Sequence, residues 1–152
     1  MPAINVRRLR APDRAEWLRL RAALWPEAAL EELALGVGEF LLGGGLLRAV
    51  LVAEGASGLC GFLELSVRPY AEGCAGPTPF MEGWFVDDTA RRQGVGAALV
   101  RAAEGWATEQ GFSELASDTQ LWNTVSQSAH EALGFEEAER LVSYRKVLLR
   151  GA

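Results

Sequence analysis

The chain is short of metal and redox ligands: Cys60 and Cys74 are its two cysteines and His130 its one histidine. Residues so scattered provide none of the Cys/His spacings of a metal site. Cys60 falls inside an apolar strand pattern, so both cysteines read as free thiols, as a reducing compartment would keep them. Long hydrophobic runs are also missing. None approaches the ~18 uninterrupted apolar residues of a membrane span, and the opening MPAINVRRLR lacks the apolar core of a secretory signal; the expectation is a cytoplasmic protein with no membrane contact. Positive charge is scarce as well. Fifteen Lys and Arg against 20 Asp and Glu leave a net charge of −5, without the basic stripe that a nucleic-acid partner requires. An acidic surface suits a cationic partner, although it equally serves solubility.

What is present is enough apolar material for one sizeable core. The 152 residues are 49% hydrophobic, and no linker, repeat or low-complexity block divides them, so a single domain over residues 1–152 is expected. Ile4-Asn5-Val6-Arg7-Arg8-Leu9 alternates as a strand does. Pro12-Asp13 opens a helix with Trp17, Leu20 and Leu24 as its buried stripe, and the Asp13-x-x-Glu16 spacing predicts a capping box with Asp13 as the cap. A second helix is predicted over residues 27–37, then a loop at Gly43-Gly44-Gly45. Residues 46–54 and 59–67 read as an antiparallel hairpin, and a loop leads to a strand over 81–87. Residues 94–110 show helical spacing, with Gly111 as the stop. A short strand over 112–117, a helix over 122–133 ended by Gly134, and final strands at Phe135 and 141–149 complete the order βααβββαβαββ, an α/β fold with a mixed sheet and helices on its faces.

One stretch carries chemistry on its face. Asp87-Asp88-Thr89-Ala90-Arg91-Arg92-Gln93-Gly94-Val95-Gly96-Ala97 joins a strand to a helix through a glycine-containing turn. Such a turn exposes several backbone N–H groups at the positive end of the helix dipole, a natural phosphate seat. Gly94 and Gly96 would let the backbone approach a bulky anion, and Arg91 and Arg92 can add charged hydrogen bonds. No Gly-Lys-Ser/Thr follows, and the spacing is not G-x-G-x-x-G. Taken alone, the stretch leaves open a solvated charged turn whose glycines merely permit tight packing.

Arg91-Arg92-Gln93-Gly94-Val95-Gly96 resembles the R/Q-x-x-G-x-G/A signature of the GNAT superfamily of acetyl-CoA-dependent N-acetyltransferases, and Asn123-x-x-Ser126 with Glu131-Ala132-Leu133-Gly134-Phe135 is similar to its second signature. The element order is also that of the superfamily, so the resemblance spans nearly the whole chain and implies a mostly antiparallel GNAT-type sheet. By that resemblance acetyl-CoA is the cosubstrate, without a metal. The backbone amides of residues 93–97 (Gln93, Gly94, Val95, Gly96, Ala97) would hold its pyrophosphate. Its pantetheine would lie as an added strand beside Phe85 and Val86, and Asn123 would meet the same arm. Leu24-Trp25, Tyr70, Phe80-Met81-Glu82-Gly83-Trp84-Phe85-Val86 and Glu114-Leu115-Ala116-Ser117-Asp118 look more specifically like bacterial aminoglycoside 6'-N-acetyltransferases, a resemblance that also implies a homodimer, in keeping with the apolar C-terminal strand.

A cationic aminoglycoside needs carboxylates around a cleft with an aromatic wall. Glu82, Asp118 and Glu72 are the candidate acids, Trp25 and Tyr70 the candidate wall; each acid could equally be a surface carboxylate, and each aromatic could be core or lid packing. The acceptor ammonium must lose a proton before attack on the thioester, and Asp118 or Glu82 is the candidate base. Many family members carry a tyrosine seven residues after the asparagine. This chain has His130 there, so the proton donor to the leaving thiolate stays open among His130, Ser126, Tyr144 and no residue at all. A protein N-terminus, a lysine or a polyamine as acceptor, and a CoA-binding sensor without turnover, are the alternatives.

Overall fold

The computed structural model describes residues 4–151, which gather into two compact units, one running through Asp118 and the other beginning at Thr119. The first unit holds strand β1 (Asn5–Arg8), helices α1 (Arg14–Leu24) and α2 (Leu30–Leu41), strands β2 (Ala49–Gly55), β3 (Gly58–Arg68) and β4 (Thr78–Val86), and helix α3 (Val95–Glu109). The four strands form one antiparallel sheet in the order β1-β2-β3-β4.

Helices cover both faces of this sheet, which is why β2 and β3 read as nearly continuous apolar runs instead of alternating ones. Trp17 and Leu20 of α1 and Val37 of α2 pack with Val50, Val52 and Phe62 on one face. On the other, a Cβ placed on Gly61 would meet Leu99 and Val95 of α3, so the face of Gly61, Leu63 and Leu65 belongs to α3. Each large apolar side chain so buried contributes about 1.5–3 kcal/mol.

Two local expectations give way to stronger donors. Asp13 stands at the N-cap of α1 but gives that helix no side-chain cap, its carboxylate closing the preceding 3-10 turn of residues 11–13 instead. Its carboxylate accepts two hydrogen bonds from Arg7 at 2.7 and 2.9 Å and one from the Arg10 N–H at 2.8 Å. A guanidinium fork outcompetes a neutral helix amide, and it holds the Asp13 carboxyl below the usual carboxylate range. Glu16, the other half of the expected box, pairs with Arg19 at 2.8 Å. Helix α2 runs to Leu41, beyond its predicted end. Arg21 crosses it at the internal Gly36, where a Cβ would sit 2.9 Å from Arg21 Nη1.

The later strands differ from the predicted order. Residues 112–117 make only a parallel bridge between Phe80 and Ala116, with Met81 N–H to Ala116 O and Ala116 N–H to Pro79 O both at 2.9 Å. In the second unit α4 (Thr124–Ala132) forms as expected and stops at Gly134, whose φ of +90° suits glycine. The strands predicted at Phe135 and 141–149 are absent: residues 135–151 carry no secondary structure. Their pattern is that of a strand, but a strand exists only against a neighbour that satisfies its N–H and C=O groups, and the described residues supply none. Both cysteines are free thiols, and among the described residues no helix is long and apolar enough to cross a membrane.

Candidate active site

The loop before α3 is shaped by two left-handed residues. Arg92 has φ +65°, the one positive φ off glycine among the described residues, and Gly94 follows at +77°. Alternating hands along a turn aim successive N–H groups into one concavity, and a non-glycine residue held there stores strain of about 1–3 kcal/mol, a recurrent feature of ligand loops. The first ladder bond of α3 is Ala98 N–H to Gly94 O at 3.0 Å, so helix geometry leaves the amides of Val95, Gly96 and Ala97 without intrahelical acceptors. No side chain caps them and no acid stands in the first turn. The end of α3 is therefore open to an anion.

The side chains around this loop divide their duties. Arg91 is engaged with Asp88 at 2.8 Å and with Val86 O at 3.1 Å, and Gln93 donates to Thr89 O at 3.3 Å. Arg92 is exposed and is the guanidinium left for a phosphate. The two glycines also differ. A Cβ on Gly94 would meet nothing, so that glycine serves the left-handed turn. One on Gly96 would sit 3.3 Å from Trp84 Cζ2, whose indole N–H donates to Gly96 O at 3.2 Å. Gly96 is small to seat Trp84, more than to clear room for an anion.

Upstream of this loop β4 presents a free edge. After the bridge at Phe80, no strand lies alongside it among the described residues. Phe85 O points toward Gly61 on β3, and Asp87 N–H donates to Cys60 O at 2.8 Å. Alternation then directs the Val86 N–H outward. Phe85 and Val86 thus stand where an extended ligand could add as a strand.

Where that free edge begins, the ladder carries a bulge. Glu64 pairs with Gly83 but Leu65 with Met81, which leaves Glu82 as the extra residue, its side chain re-aimed by the local twist. Glu82 lines a cleft of about 240 Å³ together with Trp25, Phe40, Glu39, Arg21 and Glu64. Trp25 packs against the backbone at Gly83, where a Cβ would come within 2.8 Å of Cη2. Its ring also stands edge-on to Phe62 at 6.2 Å.

Two of the acids here are already neutralised. Glu64, 1% exposed, accepts from Trp17 Nε1 at 2.9 Å and from Arg21 Nε at 2.6 Å; burial pushes its carboxyl up against the pull of these partners. Arg21 goes on to donate to Leu33 O at 2.7 Å, tying β3, α1 and α2 together. Burial alone would also raise Glu82. Arg68, at 2.8 and 2.9 Å, and the Ser66 hydroxyl, at 2.6 Å, outweigh it and hold that carboxyl below its ordinary value.

Arg68 lies 3.5 Å over the Phe80 ring and has Asp118 and Glu72 as further charge partners. Of the three predicted acids only Glu82 is ion-paired with Arg68 and lines the cleft; Asp118 and Glu72 act on that guanidinium through the field alone. Tyr70 is 67% exposed, on the loop that Glu114 ties down by accepting from Ala75 N–H at 3.0 Å. It forms no part of the cleft wall.

The residues matched by the family described as Acetyltransferase (GNAT) family are 12–135. The chain belongs to the GNAT acetyltransferase family. It is 50% identical over 147 residues, 94% of this chain and 96% of the relative, to an aminoglycoside N(6')-acetyltransferase type 1 of Klebsiella aerogenes. A protein of the same description from Serratia marcescens is 43% identical over 87% of this chain and 91% of its own length. Among solved structures, AAC(6')-Iy in complex with the bisubstrate analogue CoA-S-monomethyl-acetylneamine is similar at a TM-score of 0.87 and 38% identity, covering 96% of this chain and 99% of that one.

Within this GNAT chain the second unit is occupied locally. Asn123 Oδ1 accepts the Ser126 N–H at 3.1 Å and so caps α4. His130 Nδ1 lies 2.7 Å from Ser126 O and 3.4 Å from the Ser126 hydroxyl. Tyr144 is 91% exposed on the segment without secondary structure. Sequence reasoning missed Arg68, Arg21, Glu64 and Glu39. One signal was available: Glu64 is a lone carboxylate within the apolar run GFLELSV, and a charge buried there demands a cation partner.

Proposed function

We propose that this chain is an aminoglycoside 6'-N-acetyltransferase, moving the acetyl group of acetyl-CoA onto the 6'-amine of an aminoglycoside and so conferring resistance to the antibiotic. The observation that carries the reading is the position of Glu82, which belongs both to the acid- and tryptophan-lined cleft and to the start of the open β4 edge. An acceptor seated in the cleft and an acyl donor laid along the edge would meet there.

The donor's diphosphate fits the amides of Val95, Gly96 and Ala97, with Arg92 and the neighbouring Gln93 and Gly94 completing the turn; the bound cosubstrate supplies the activated acyl group. Arg91 positions the edge by holding Val86 O. The Val86 N–H stabilises negative charge developing on the thioester oxygen, while Phe85 flanks the arm. Asn123, its Oδ1 committed to the α4 cap, keeps its amide NH2 as the donor that the family resemblance assigns to pantetheine. Trp25 is the wall for a sugar face, and holding amine and thioester in line supplies much of the rate.

Of the two candidate bases, Glu82 fits a cation seat better than a proton acceptor, because three hydrogen bonds keep it ionised at lower pH than an ordinary carboxyl. Asp118 is assigned the proton, and Glu72 and Tyr70 extend the acceptor site on the loop. Replacing Asp118 by Asn lowers kcat about 10²–10⁴-fold with CoA affinity unchanged; wild-type turnover in steady-state assays would remove it from this role. The CoA thiolate, a tolerable leaving group, is assigned no protein proton donor.

The reading is tested by thiol release from acetyl-CoA across an acceptor panel. Tobramycin and kanamycin turn over, an aminoglycoside with a hydroxyl at the 6' position does not, and peptides and spermidine are poor acceptors. Preference for a peptide would move the chain to the protein-acetylating branch of the family, and CoA binding without turnover of any amine would favour a sensor.

The reading places the enzyme in the cytoplasm, where its acyl donor is made, with no nucleic-acid partner. It also makes the protein a homodimer: Leu141, Val142, Tyr144, Val147, Leu148 and Leu149 are all exposed, and a second copy is the cover their strand-like pattern requires. Light scattering gives twice the 16.4 kDa chain mass on this account, and the monomer mass contradicts it.

A further inference from the structure

We infer that Glu39 is a specificity-determining carboxylate, which seats a second ammonium group of the acceptor while the reacting amine lies near Glu82. The inference rests on the cleft being the acceptor site. Its starting point is the charge balance around that cleft. Glu64 is matched by Arg21 and Glu82 by Arg68. Glu39 lines the same cleft and has no ion-pair or hydrogen-bond partner for its carboxylate among the described residues. Within the cleft it is the acid whose charge remains for a ligand.

Its local setting fits this use. Glu39 lies in the last turn of α2, which contains no basic residue. A carboxylate there stands against the negative pole of the helix. The same placement adds the helix field to the attraction for a cation. The glycine loop that follows runs beside the side chain. Gly44 N–H donates to Glu39 O at 2.9 Å, Gly43 and Gly45 turn the chain at φ +82° and +81°, and a Cβ on Gly45 would stand 3.0 Å from Glu39 Oε2 and 3.2 Å from its Cβ. Glycine at 45 thus leaves the room in which the carboxylate rests against the loop.

Size sets what the second ammonium belongs to. The cleft's roughly 240 Å³ falls below the ~300–1,000 Å³ of pockets that enclose a drug-sized ligand, so it suits a single amino-sugar ring. Glu39 is exposed and so stands at the rim, where a second ring of a larger acceptor would emerge. The residue therefore favours acceptors with several amines over a lone amino sugar.

The test compares Glu39→Gln with wild type in initial-rate assays on tobramycin and on 6-amino-6-deoxyglucose, which offers one amine. The expected result is a rise of about two- to fivefold in KM for tobramycin and a flatter dependence of that KM on salt. No change is expected in kcat, in KM for acetyl-CoA, or in KM for the single-amine sugar. An unchanged tobramycin KM at every salt concentration overturns the inference, as does an equal rise for both acceptors. Trp25→Leu separates the two levels of the argument. If it raises both acceptor KM values while Glu39→Gln does nothing, only the role of Glu39 fails; if neither variant affects any acceptor, the cleft is not the acceptor site and both readings fail.

Discussion

Replacing Glu64 by alanine lowers the stability of the protein by about 3–5 kcal/mol, the cost of stripping a buried ion pair of one partner. Arg21 is only 11% exposed and has Glu64 as its charge partner at 2.6 Å. Its guanidinium lies 5.4 Å from the Trp17 ring and 5.3 Å from the Trp25 ring, so it cannot swing to water without disturbing the α1 face of the core and the cleft wall together. For a chain of this size the melting temperature falls by at least about 6 °C. Glu64→Gln keeps an acceptor for the Trp17 indole and loses less. Pairing Glu64→Ala with Arg21→Met recovers part of the loss, because the stranded charge is then gone. Thermal unfolding within about 2 °C of wild type would mean that the ion pair does not hold α1 to the sheet.

Replacing Gly96 by valine weakens CoA binding, by calorimetry, about ten- to a hundredfold. That corresponds to losing one hydrogen bond to a charged group, about 1.5–3 kcal/mol. The backbone at 96 is helical and accepts any side chain, so the effect does not come from strain at that residue. A Cβ there already sits 3.3 Å from Trp84 Cζ2, and two further methyl groups must push either the indole or the first turn of α3 out of place. Either movement disturbs the Trp84 to Gly96 hydrogen bond and the set of open amides beside it. Unchanged affinity would show that the α3 amides do not carry the diphosphate.

What the sequence revealed, and what it hid, follows from the range of each interaction. The turn before α3 was legible because its signal is local: two glycines, the arginines and a helix start within a few residues. The Trp17 and Leu20 stripe was legible through its spacing. Arg68 and Glu82, 14 residues apart, and Arg21 and Glu64, 43 apart, meet only through the pairing of β3 with β4 and the packing of α1 on the sheet. A bulge at Glu82, which decides where that side chain points, leaves no mark in a single sequence. Glu39 looks like any carboxylate on a surface helix until the glycine loop folds beside it. Asp13 was read as a cap because the pattern says so; Arg7 is a better donor than the amide it displaced. The C-terminal segment has the composition of a strand, and composition does not supply the neighbour that a strand must pair with.

The central claim is that the acyl group reaches the 6'-amine of an aminoglycoside, and NMR of the tobramycin product tests it most directly. The account predicts one new N-acetyl group whose carbonyl carbon correlates with the 6'-methylene protons, and none when the chain is incubated without acetyl-CoA. Acetylation at a different amine of the same molecule, or no transfer to tobramycin under conditions in which a peptide amine is modified, would contradict it.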